Sequence, residues 1–446
     1  MKKYQVIMPV ALPIALAISF FYMVQGRVET NTAYQGHIQA AQAYAQNGVI
    51  NDALTEYTAA IAINPRIETY LAVGQLYMDQ QEYRTAQQWY ERKLLETYPA
   101  DARTYEFGIT AQLAQDNTRE AYSIYDSYQS RGLQSKAVEA LMQPIWYSFD
   151  LLGGYAEVGA FGNSNVIAPV KESETWSYIN VEGSRAVDGV YQQAGAAGEL
   201  TPVVDAEGEA YYIDAAGNKK LTASYFLAQD AEMGTITAFK PAASNLALAT
   251  NGEIWNYYNV ETYQKVFGGY KDATLITNGV GAVSQDGNTW ALIAADGQTL
   301  TGYEYQQILS DEKGVICRGD AVIAEKDGVY RLLDTAGGAI GQTGYEDARA
   351  FCDTGMAAVK KDGRWIFVSM SGEEKDMGDF EELQSFSCGI AAARQNGKWG
   401  YINENSEWVI EPQFEEAKAF CSAGVAFVKT TEDTWKLLSL YRYHHS

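Results

Sequence analysis

The stretch Asn396-Gly397-Lys398-Trp399-Gly400-Tyr401-Ile402 joins a tight-turn dipeptide to a strand that opens with tryptophan. Asn-Gly supplies the positive φ angles that a two-residue β-hairpin needs. The same pattern recurs about every 35 residues over the last two thirds of the chain. Its aromatic positions are Trp176, Trp255, Trp290, Tyr330, Trp365, Trp399 and Trp435, with Ala210 at the equivalent place in the second unit. This period indicates stacked copies of one small unit, which share a core between neighbours.

Each unit also contains an apolar strand before the turn, as at 391–393, and a third apolar segment after it, as at 408–410. The third segment leads into an aromatic residue, two variable residues and a small or aliphatic residue. Clear copies of this motif start at Tyr345, Phe380 and Phe414, and weaker ones at Tyr155, Tyr191, Tyr225, Tyr270 and Tyr305. We therefore expect about eight units between Tyr155 and Leu440.

The segment from Gly397 through Phe414 resembles the WG repeat family, also called KWG. The likeness is strong over residues 345–435, moderate over 279–344 and weakest over 186–275, where Ala210 lacks the aromatic ring. The resemblance implies a repeat protein of bacteria, commonly exported or exposed at the surface.

Three or four short strands per unit predict a β-propeller of seven or eight blades. The last unit lacks a third strand, and Phe149-Asp150-Leu151-Leu152 precedes the first unit at the spacing of that missing strand. This N-terminal segment is therefore expected to complete the last blade and close the ring, which removes two exposed sheet edges. An open β-solenoid is the alternative.

Residues 34 to about 134 show helical periodicity instead. Alanines at positions 53, 86 and 121 are each followed four residues later by tyrosine, and Pro65 and Pro99 end the first two units. Gly74 stands where two helices are expected to approach closely. The pattern resembles tetratricopeptide repeats, which implies helix pairs with a concave groove. Either the groove docks a peptide or the helices act as a spacer.

The first residues predict a membrane anchor. Lys2 and Lys3 precede an apolar stretch from about Gln5 to Val24, long enough to span a bilayer with the rest of the chain translocated. A cleaved signal peptide is the alternative. We thus expect an α+β multidomain protein with a cytoplasmic tip and transmembrane signal-anchor at 1–30, a tetratricopeptide-like all-α solenoid at 31–144, and an all-β repeat domain at 145–441.

The four cysteines lie just before the glycines that open successive repeats: Cys317, Cys352, Cys388 and Cys421. Equivalent positions in adjacent units are close in space, so an exported protein would pair Cys388 with Cys421 and Cys317 with Cys352. Buried free thiols are the alternative. Zinc is disfavoured because no C-x-x-C spacing occurs.

Catalytic, cofactor and metal sites are not indicated by any motif. The positions of the three histidines leave the repeat domain without an internal histidine, which is the usual general base and a common metal ligand. Acidic pairs such as Glu415-Glu416 and Glu381-Glu382 recur with the repeat, so we interpret them as solvated turns and not as glycosidase carboxylates. The tryptophans are interpreted as packing residues of the blades.

The sequence thus favours a non-enzymatic protein: a membrane-anchored, extracytoplasmic binding scaffold in the cell membrane that docks a protein or cell-envelope glycan. The net charge of −23 disfavours nucleic acid as a partner. The alternative is a surface carbohydrate-active enzyme with carboxylates in the propeller channel. A spacer without a ligand is a third reading.

Overall fold

The computed structural model describes residues 28–162, 166–341 and 344–444. The expected membrane-spanning stretch from about Gln5 to Val24 lies outside these residues. In the described residues, no helix is long and apolar enough to cross a membrane. The chain divides into a helical unit that ends at Ser148 and a β unit that runs from Phe149 to His444.

The helical unit is a series of antiparallel helices joined by short turns. They span residues 28–46, Ile50–Ile63, Ile67–Asp79, Tyr83–Trp89 with a π-helical continuation Tyr90–Leu94 and Leu95–Thr97, Ala102–Leu113, Thr118–Ser130, Lys136–Met142 and the 3-10 turn Gln143–Ile145. Asp101 and Ser135 cap two of these helices, because each side chain accepts a hydrogen bond from a backbone N–H in the first turn.

Small residues let these helices approach one another. Ala53, Ala86 and Ala121 are fully buried, and the tyrosines four residues later are almost so. A Cβ added at Gly74 would lie 2.7 Å from Cε2 of Phe107 on the helix Ala102–Leu113. The expected close approach at Gly74 is confirmed.

The β unit contains eight sheets within the described residues, which we number as blades 1 to 8 in chain order. Blade 1 comprises Glu157–Val158, Ala168–Glu172, Thr175–Ile179 and Arg185–Tyr191, and blade 2 comprises Gln193–Ala194, Thr201–Val204, Ala210–Ile213 and Lys219–Thr222. Blade 3 comprises Ala238–Ala243, Leu246–Thr250, Trp255–Asn259 and Lys265–Tyr270, and blade 4 comprises Asp272–Ala273, Val280–Ser284 and Trp290–Ala294. Blade 5 comprises Gln307–Ile308, Cys317–Arg318, Ala321–Lys326 and Val329–Asp334, and blade 6 comprises Asp347–Ala348, Met356–Lys361, Arg364–Ser369 and Glu374–Lys375. Blade 7 comprises Glu382–Leu383, Ile390–Gln395, Lys398–Asn403 and Trp408–Phe414, and blade 8 comprises Glu416–Ala417, Val425–Lys429 and Trp435–Leu440 with Phe149–Tyr155.

Successive blades pack on each other through apolar side chains that alternate with the strand period. Buried clusters join blades 1 and 2, 2 and 3, 3 and 4, 4 and 5, 5 and 6, 6 and 7, and 8 and 1. Blades 7 and 8 meet through the rings of Phe414 and Phe149, whose centroids are 6.1 Å apart. The sheets therefore form a closed cycle.

The ring closes through its first strand. Residues Phe149–Tyr155 pair antiparallel with Trp435–Leu440, with Phe149 opposite Leu440 and Leu152 opposite Leu437. The N-terminal segment thus becomes the outer strand of blade 8, as the sequence predicted. The unit is an eight-bladed β-propeller, and the open solenoid is excluded because the first and last strands are paired.

Tyr225 was expected to start the motif of the third unit, and this expectation is wrong. The residue lies in a short helix, Ala223–Leu227, and its side chain is 46% exposed. The adjacent Phe226 is fully buried instead. Blade 3 begins only at Ala238, because the segment between blades 2 and 3 is longer than the other connections and carries its own helix.

Candidate functional site

In blades 6, 7 and 8 the short first strand is the innermost one, and it begins with the second acid of the pair seen in the sequence: Asp347, Glu382 or Glu416. In blade 6, Glu346 accepts a hydrogen bond from Gly363 N at 3.1 Å. In blade 7, Glu381 accepts from Gly397 N at 3.0 Å. In blades 6 and 7 the first acid of the pair thus holds the tight turn of its own blade, whereas Glu415 of blade 8 binds Lys398 of blade 7. The first acids Glu346, Glu381 and Glu415 are exposed at bends, as interpreted from the sequence. The second acids lie on the paired strands, so the interpretation as solvated turns does not extend to them.

The second acid of the pair faces the channel, where cations join one blade to the next. Arg349 of blade 6 binds Asp347 of its own blade and Glu382 of blade 7, each at 3.0 Å. Its guanidinium carbon lies 4.5 Å from the ring centre of Trp365. A guanidinium over an aromatic face is attracted to the ring and is also held by carboxylates at its edge. Arg349 is therefore fixed by its own blade and ties it to blade 7.

Blade 3 repeats this arrangement with a lysine. Lys240 Nζ lies 4.6 Å from the Trp255 ring centre and 3.1 Å from Asp272 of blade 4. It also donates to the carbonyl oxygen of Ala273 at 2.5 Å. The same combination of tryptophan, cation and acid of the next blade thus occurs at two places around the ring.

Lys418 of blade 8 departs from this pattern. Its Nζ lies 5.5 Å from the Trp435 ring centre, but its acidic partner at 2.9 Å is Glu312 of blade 5. Glu312 belongs to the loop between the strands Gln307–Ile308 and Cys317–Arg318. That loop therefore reaches across the channel to blade 8.

The loop that carries Glu312 is held rigidly at its base. Asp311 is nearly buried, with 7% of its side chain exposed, and lies 2.8 Å from Arg318 Nη2. Its other carboxylate oxygen accepts hydrogen bonds from the backbone N–H groups of Lys313 and Val315 at 2.9 and 3.0 Å. A charged acceptor with three partners fixes the loop conformation and so the position of Glu312.

Two cavities meet at the Lys418–Glu312 pair, since both residues line both of them. The larger cavity has a volume of about 440 Å³. The side chains that contribute to its wall include Glu382, Gln384, Arg394, Trp399, Glu416 and Trp435. This cavity combines carboxylates, an amide, a guanidinium and two indoles at the channel side of blades 7 and 8.

Arg394 is the least satisfied cation of this cavity. Its nearest carboxylates are Glu382 at 3.7 Å and Glu381 at 3.9 Å, both beyond hydrogen-bond distance. Its Nε is buried and has no hydrogen-bond partner among the described residues. The side chain as a whole is 40% exposed and lines the cavity, so this guanidinium is a candidate ligand-binding group.

The seven predicted aromatic anchors occupy equivalent places, each in the first two residues of the strand that follows the tight turn of its blade. Six of them lie opposite an aromatic residue of the outer segment, in the pairs Trp176–Tyr191, Trp255–Tyr270, Trp290–Tyr305, Tyr330–Tyr345, Trp399–Phe414 and Trp435–Tyr155. Trp365, which is 3% exposed, lies beneath Arg349. Ala210 pairs with Val204, the same place in blade 2.

The four cysteines lie at one end of the channel: Cys352, Cys388 and Cys421 in the loops after the innermost strands of blades 6 to 8, and Cys317 in the short strand Cys317–Arg318 of blade 5. All four thiols are free, so neither expected disulfide is formed in this structure. The Cys388 thiol donates to the carbonyl oxygen of Cys421 at 3.1 Å and so is not directed at the neighbouring sulfur. Burial, followed by nearby carboxylates, raises the pKa of Cys352 to about 12 and that of Cys388 to about 11. At neutral pH these thiols are therefore protonated and weakly nucleophilic.

Sequence reasoning did not single out Arg349, Arg394, Lys418 or Glu312. A local signal existed for two of them, because Asp347-Ala348-Arg349 and Glu416-Ala417-Lys418 place a cation two residues after the channel acid. In the described part of the chain, no three His, Cys, Asp or Glu side chains converge in a way suited to a metal ion.

Several solved structures resemble the chain at low identity. They are BamB from Moraxella catarrhalis (9% identity, TM-score 0.30, covering 63% of this chain and 84% of that chain) and the WD40 beta propeller domain of Doa1 (11%, 0.33, 66% and 97%). A eukaryotic initiation factor is a third (9%, 0.42, 67% and 88%). These scores are low, so the propeller assignment depends on the strand pairing above.

No curated protein matches the chain in sequence. A family model, described as "WG containing repeat", matches residues 332–365, 379–399 and 399–435. Each matched segment ends on an anchoring tryptophan: Trp365, Trp399 or Trp435. The repeat defined by sequence therefore straddles two neighbouring blades. Over blades 5 to 8, this chain is similar to the WG containing repeat family.

Proposed function

We propose that this protein is a membrane-anchored, extracytoplasmic binding scaffold that docks a protein or cell-envelope partner through its repeat surfaces. The helical unit, which we interpret as a tetratricopeptide-like solenoid, provides one such surface, and the propeller provides another. The observation that carries the proposal is a groove between the helices Ile67–Asp79 and Ala102–Leu113.

The groove has the mixed lining that an extended polypeptide needs. Its cavity is about 390 Å³, and its wall includes Gln75, Glu106, Phe107 and Thr110. The amide, the carboxylate and the hydroxyl can bond to a peptide backbone, while the partly exposed Leu71 and Ala72 of the same wall offer apolar contact. This combination supports peptide docking over a spacer without a ligand.

One edge of the groove is preorganised. Arg103 is bound to Glu68 and Asp101, each at 2.8 Å. It thereby links the helix Ile67–Asp79 to the start of the helix Ala102–Leu113. A groove whose walls are already fixed loses less conformational entropy on binding.

Photo-crosslinking in the intact cell tests the docking surface. A benzophenone amino acid at Gln75, which is exposed in the groove, should yield a discrete adduct with one partner. The same group at Thr58, exposed on the helix Ile50–Ile63 and not lining the groove, is the matched control. Adducts at both positions, or at neither, would contradict the proposal.

The anchor and the location need a separate test. A C-terminal epitope should be removed by protease added to intact cells, and the rest of the chain should fractionate with the membrane. A tag that is cut only after lysis would overturn the extracytoplasmic assignment.

The second candidate function is a surface carbohydrate-active enzyme, which the carboxylates of the 440 Å³ cavity favour. Glycoside hydrolysis needs one carboxyl group that donates a proton. Glu382 and Glu416 each hold a cation, Arg349 at 3.0 Å and Lys429 at 3.2 Å. Paired carboxylates are acceptors, so this arrangement favours binding over hydrolysis. Release of reducing ends from a polysaccharide by the purified protein would support the enzyme instead.

A further inference from the structure

We infer that the channel cavity between blades 7 and 8 binds a neutral saccharide, with Arg394 as the principal hydrogen-bond donor. The inference deepens the proposed scaffold function, because it assigns a ligand class to the propeller. Its volume of about 440 Å³ falls within the range of roughly 300–1,000 Å³ that is usual for small-molecule sites.

Comparison of the blades shows why Arg394 is available. The residue that faces the innermost acid is a cation in blades 1, 6, 7 and 8. Lys171 lies 2.6 Å from Glu157 in blade 1, and Lys429 lies 3.2 Å from Glu416 in blade 8. Both are direct ion pairs within one blade.

In blade 7 the acid is already occupied by a cation from the preceding blade. Glu382 Oε1 accepts from Arg349 at 3.0 Å, and Arg394 is left 3.7 Å from the other oxygen. Arg394 is thus left without a direct ion pair to Glu382, and its side chain, which is 40% exposed, lines the cavity. Because Arg349 of blade 6 binds Glu382, the guanidinium of Arg394 is available to a ligand in the cavity.

The remaining polar groups suit hydroxyl groups. Glu415 and Glu416 each use one oxygen, Oε1, for Lys398 and Lys429. Their second oxygens have no hydrogen bond within the described residues and are available to accept from ligand hydroxyls. Gln384 adds an amide that both donates and accepts. The cavity wall thus contains both donors and acceptors that the hydroxyl groups of a polyol can engage.

The indoles and the charge balance narrow the ligand class. Trp399 and Trp435 line the same cavity; Trp399 is 6% exposed, and the half-buried Trp435 offers apolar contact to the C–H face of a sugar. The cavity wall contains four carboxylates and two cations, Arg394 and Lys418. Each carboxylate is paired with a cation, in the pairs Glu312–Lys418, Glu382–Arg349, Glu415–Lys398 and Glu416–Lys429. A ligand carboxylate would meet these acids, and a ligand ammonium would meet Arg394 and Lys418. A neutral saccharide avoids both conflicts.

Titration calorimetry on the purified full-length protein tests this site. The probes are hexasaccharides of glucose, xylose and N-acetylglucosamine, with oligogalacturonate as the acidic comparison. We expect one neutral probe to bind and to change tryptophan fluorescence. Arg394→Met should weaken that binding about tenfold or more, since a charge-assisted donor is lost.

Lys360→Met is the matched control. Lys360 has the position of Arg394 in blade 6, opposite the channel acid, but does not line the cavity. It should change binding less than about twofold, and both variants should keep the circular dichroism spectrum of the parent. No neutral probe binding, binding of the acidic probe alone, or equal effects of the two substitutions would overturn the inference. Crosslinking at Gln75 does not depend on this cavity, so the groove and the channel site can fail separately.

Discussion

The hydroxyl of Tyr441 donates to the carboxylate of Asp150 at 2.7 Å, across 291 residues of chain. Asp150 lies in the first strand of the propeller, and Tyr441 follows its last strand. This contact is next to the pairing of Phe149 with Leu440. The two ends of the repeat array are therefore joined by backbone and side chains, which removes the exposed edges of an open array.

Two adjacent leucines test how far the ring depends on this closure. Leu152 packs into the cluster shared by blades 8 and 1, whereas Leu151 is 40% exposed on the opposite face of the strand. Leu152→Asp should lower the free energy of unfolding by about 2–3 kcal/mol, because it places a charge against apolar side chains. The measurement is urea denaturation followed by tryptophan fluorescence.

Leu151→Asp is the control and should change stability by about 0.5 kcal/mol or less. Equal losses in the two variants would show that closure does not depend on the inward face of this strand.

Glycine is required after Trp399 for a steric reason. A Cβ added at Gly400 would lie 2.7 Å from the backbone nitrogen of Pro412 and closer still to the carbonyl oxygen of Ile410. Backbone atoms cannot rotate away. Gly400→Ala should therefore cost about 1–3 kcal/mol, as overpacking typically does, in the same urea measurement.

Gly302→Ala is the matched control, since a Cβ there meets nothing within 4 Å. It should leave the urea midpoint nearly unchanged. A neutral Gly400→Ala variant would mean that the outer strand of blade 7 shifts freely, contrary to its observed pairing with the aromatic strand.

The repeat architecture was predictable because its signals are local and recur. Turn dipeptides, alternating apolar strands and the aromatic after each turn all lie within one unit. The pairing of the strand that begins at Phe149 was predictable because the last unit lacks a third strand in the sequence, and because closing the ring removes exposed sheet edges. In blades 1, 4 and 6 the residue after the aromatic anchor is Ser177, Ala291 and Ile366, and each of these has a side chain. The close backbone contact that requires glycine at position 400 is therefore particular to blade 7, and the recurring pattern of the repeats did not predict it.

The channel contacts were not predictable because they join different units. The Glu382 carboxylate binds Arg349 of another blade, and Glu312 reaches Lys418 across the channel. Both depend on the ring geometry and on a loop conformation fixed by Asp311. Tyr225 was misplaced for a local reason: it adjoins Phe226, and the sequence does not indicate which ring of the two is buried.

The helical unit offers a similar steric test. Gly74 is buried against the ring of Phe107, which is 7% exposed and has little room to move. Gly74→Ala should lower the midpoint of the helical transition in far-UV circular dichroism, with a cost of about 1–2 kcal/mol after the gain in helix propensity. Gly36, on the exposed face of the helix 28–46, has nothing within 4 Å of an added Cβ. Gly36→Ala should stabilise by about 0.5–1 kcal/mol, and the opposite order of the two variants would contradict the packing.

The cysteines provide a test with a pH dependence. Burial is the main cause that raises the pKa of Cys388 to about 11, and the Asp353 carboxylate, 3.9 Å from its sulfur, adds to it. In the reduced native protein, iodoacetamide at pH 8.5 should therefore label Cys388 on the order of 100-fold more slowly than in the unfolded chain. The labelling rate should rise about tenfold per pH unit until about pH 11. Peptide mass spectrometry gives the rate for each thiol.

The raised pKa of Cys388 also makes the stability of the fold depend on pH. The fold favours the neutral thiol, so this contribution is fully present below pH 9.0, the ordinary pKa, and is lost as the pH rises through about 11. Asp353→Asn should remove part of the rise and speed the labelling of Cys388, while labelling of the more distant Cys317 should not change. A Cys388 that reacts at pH 8.5 as fast as a free cysteine would show that the channel end is open to solvent and that the loops around it do not pack as described.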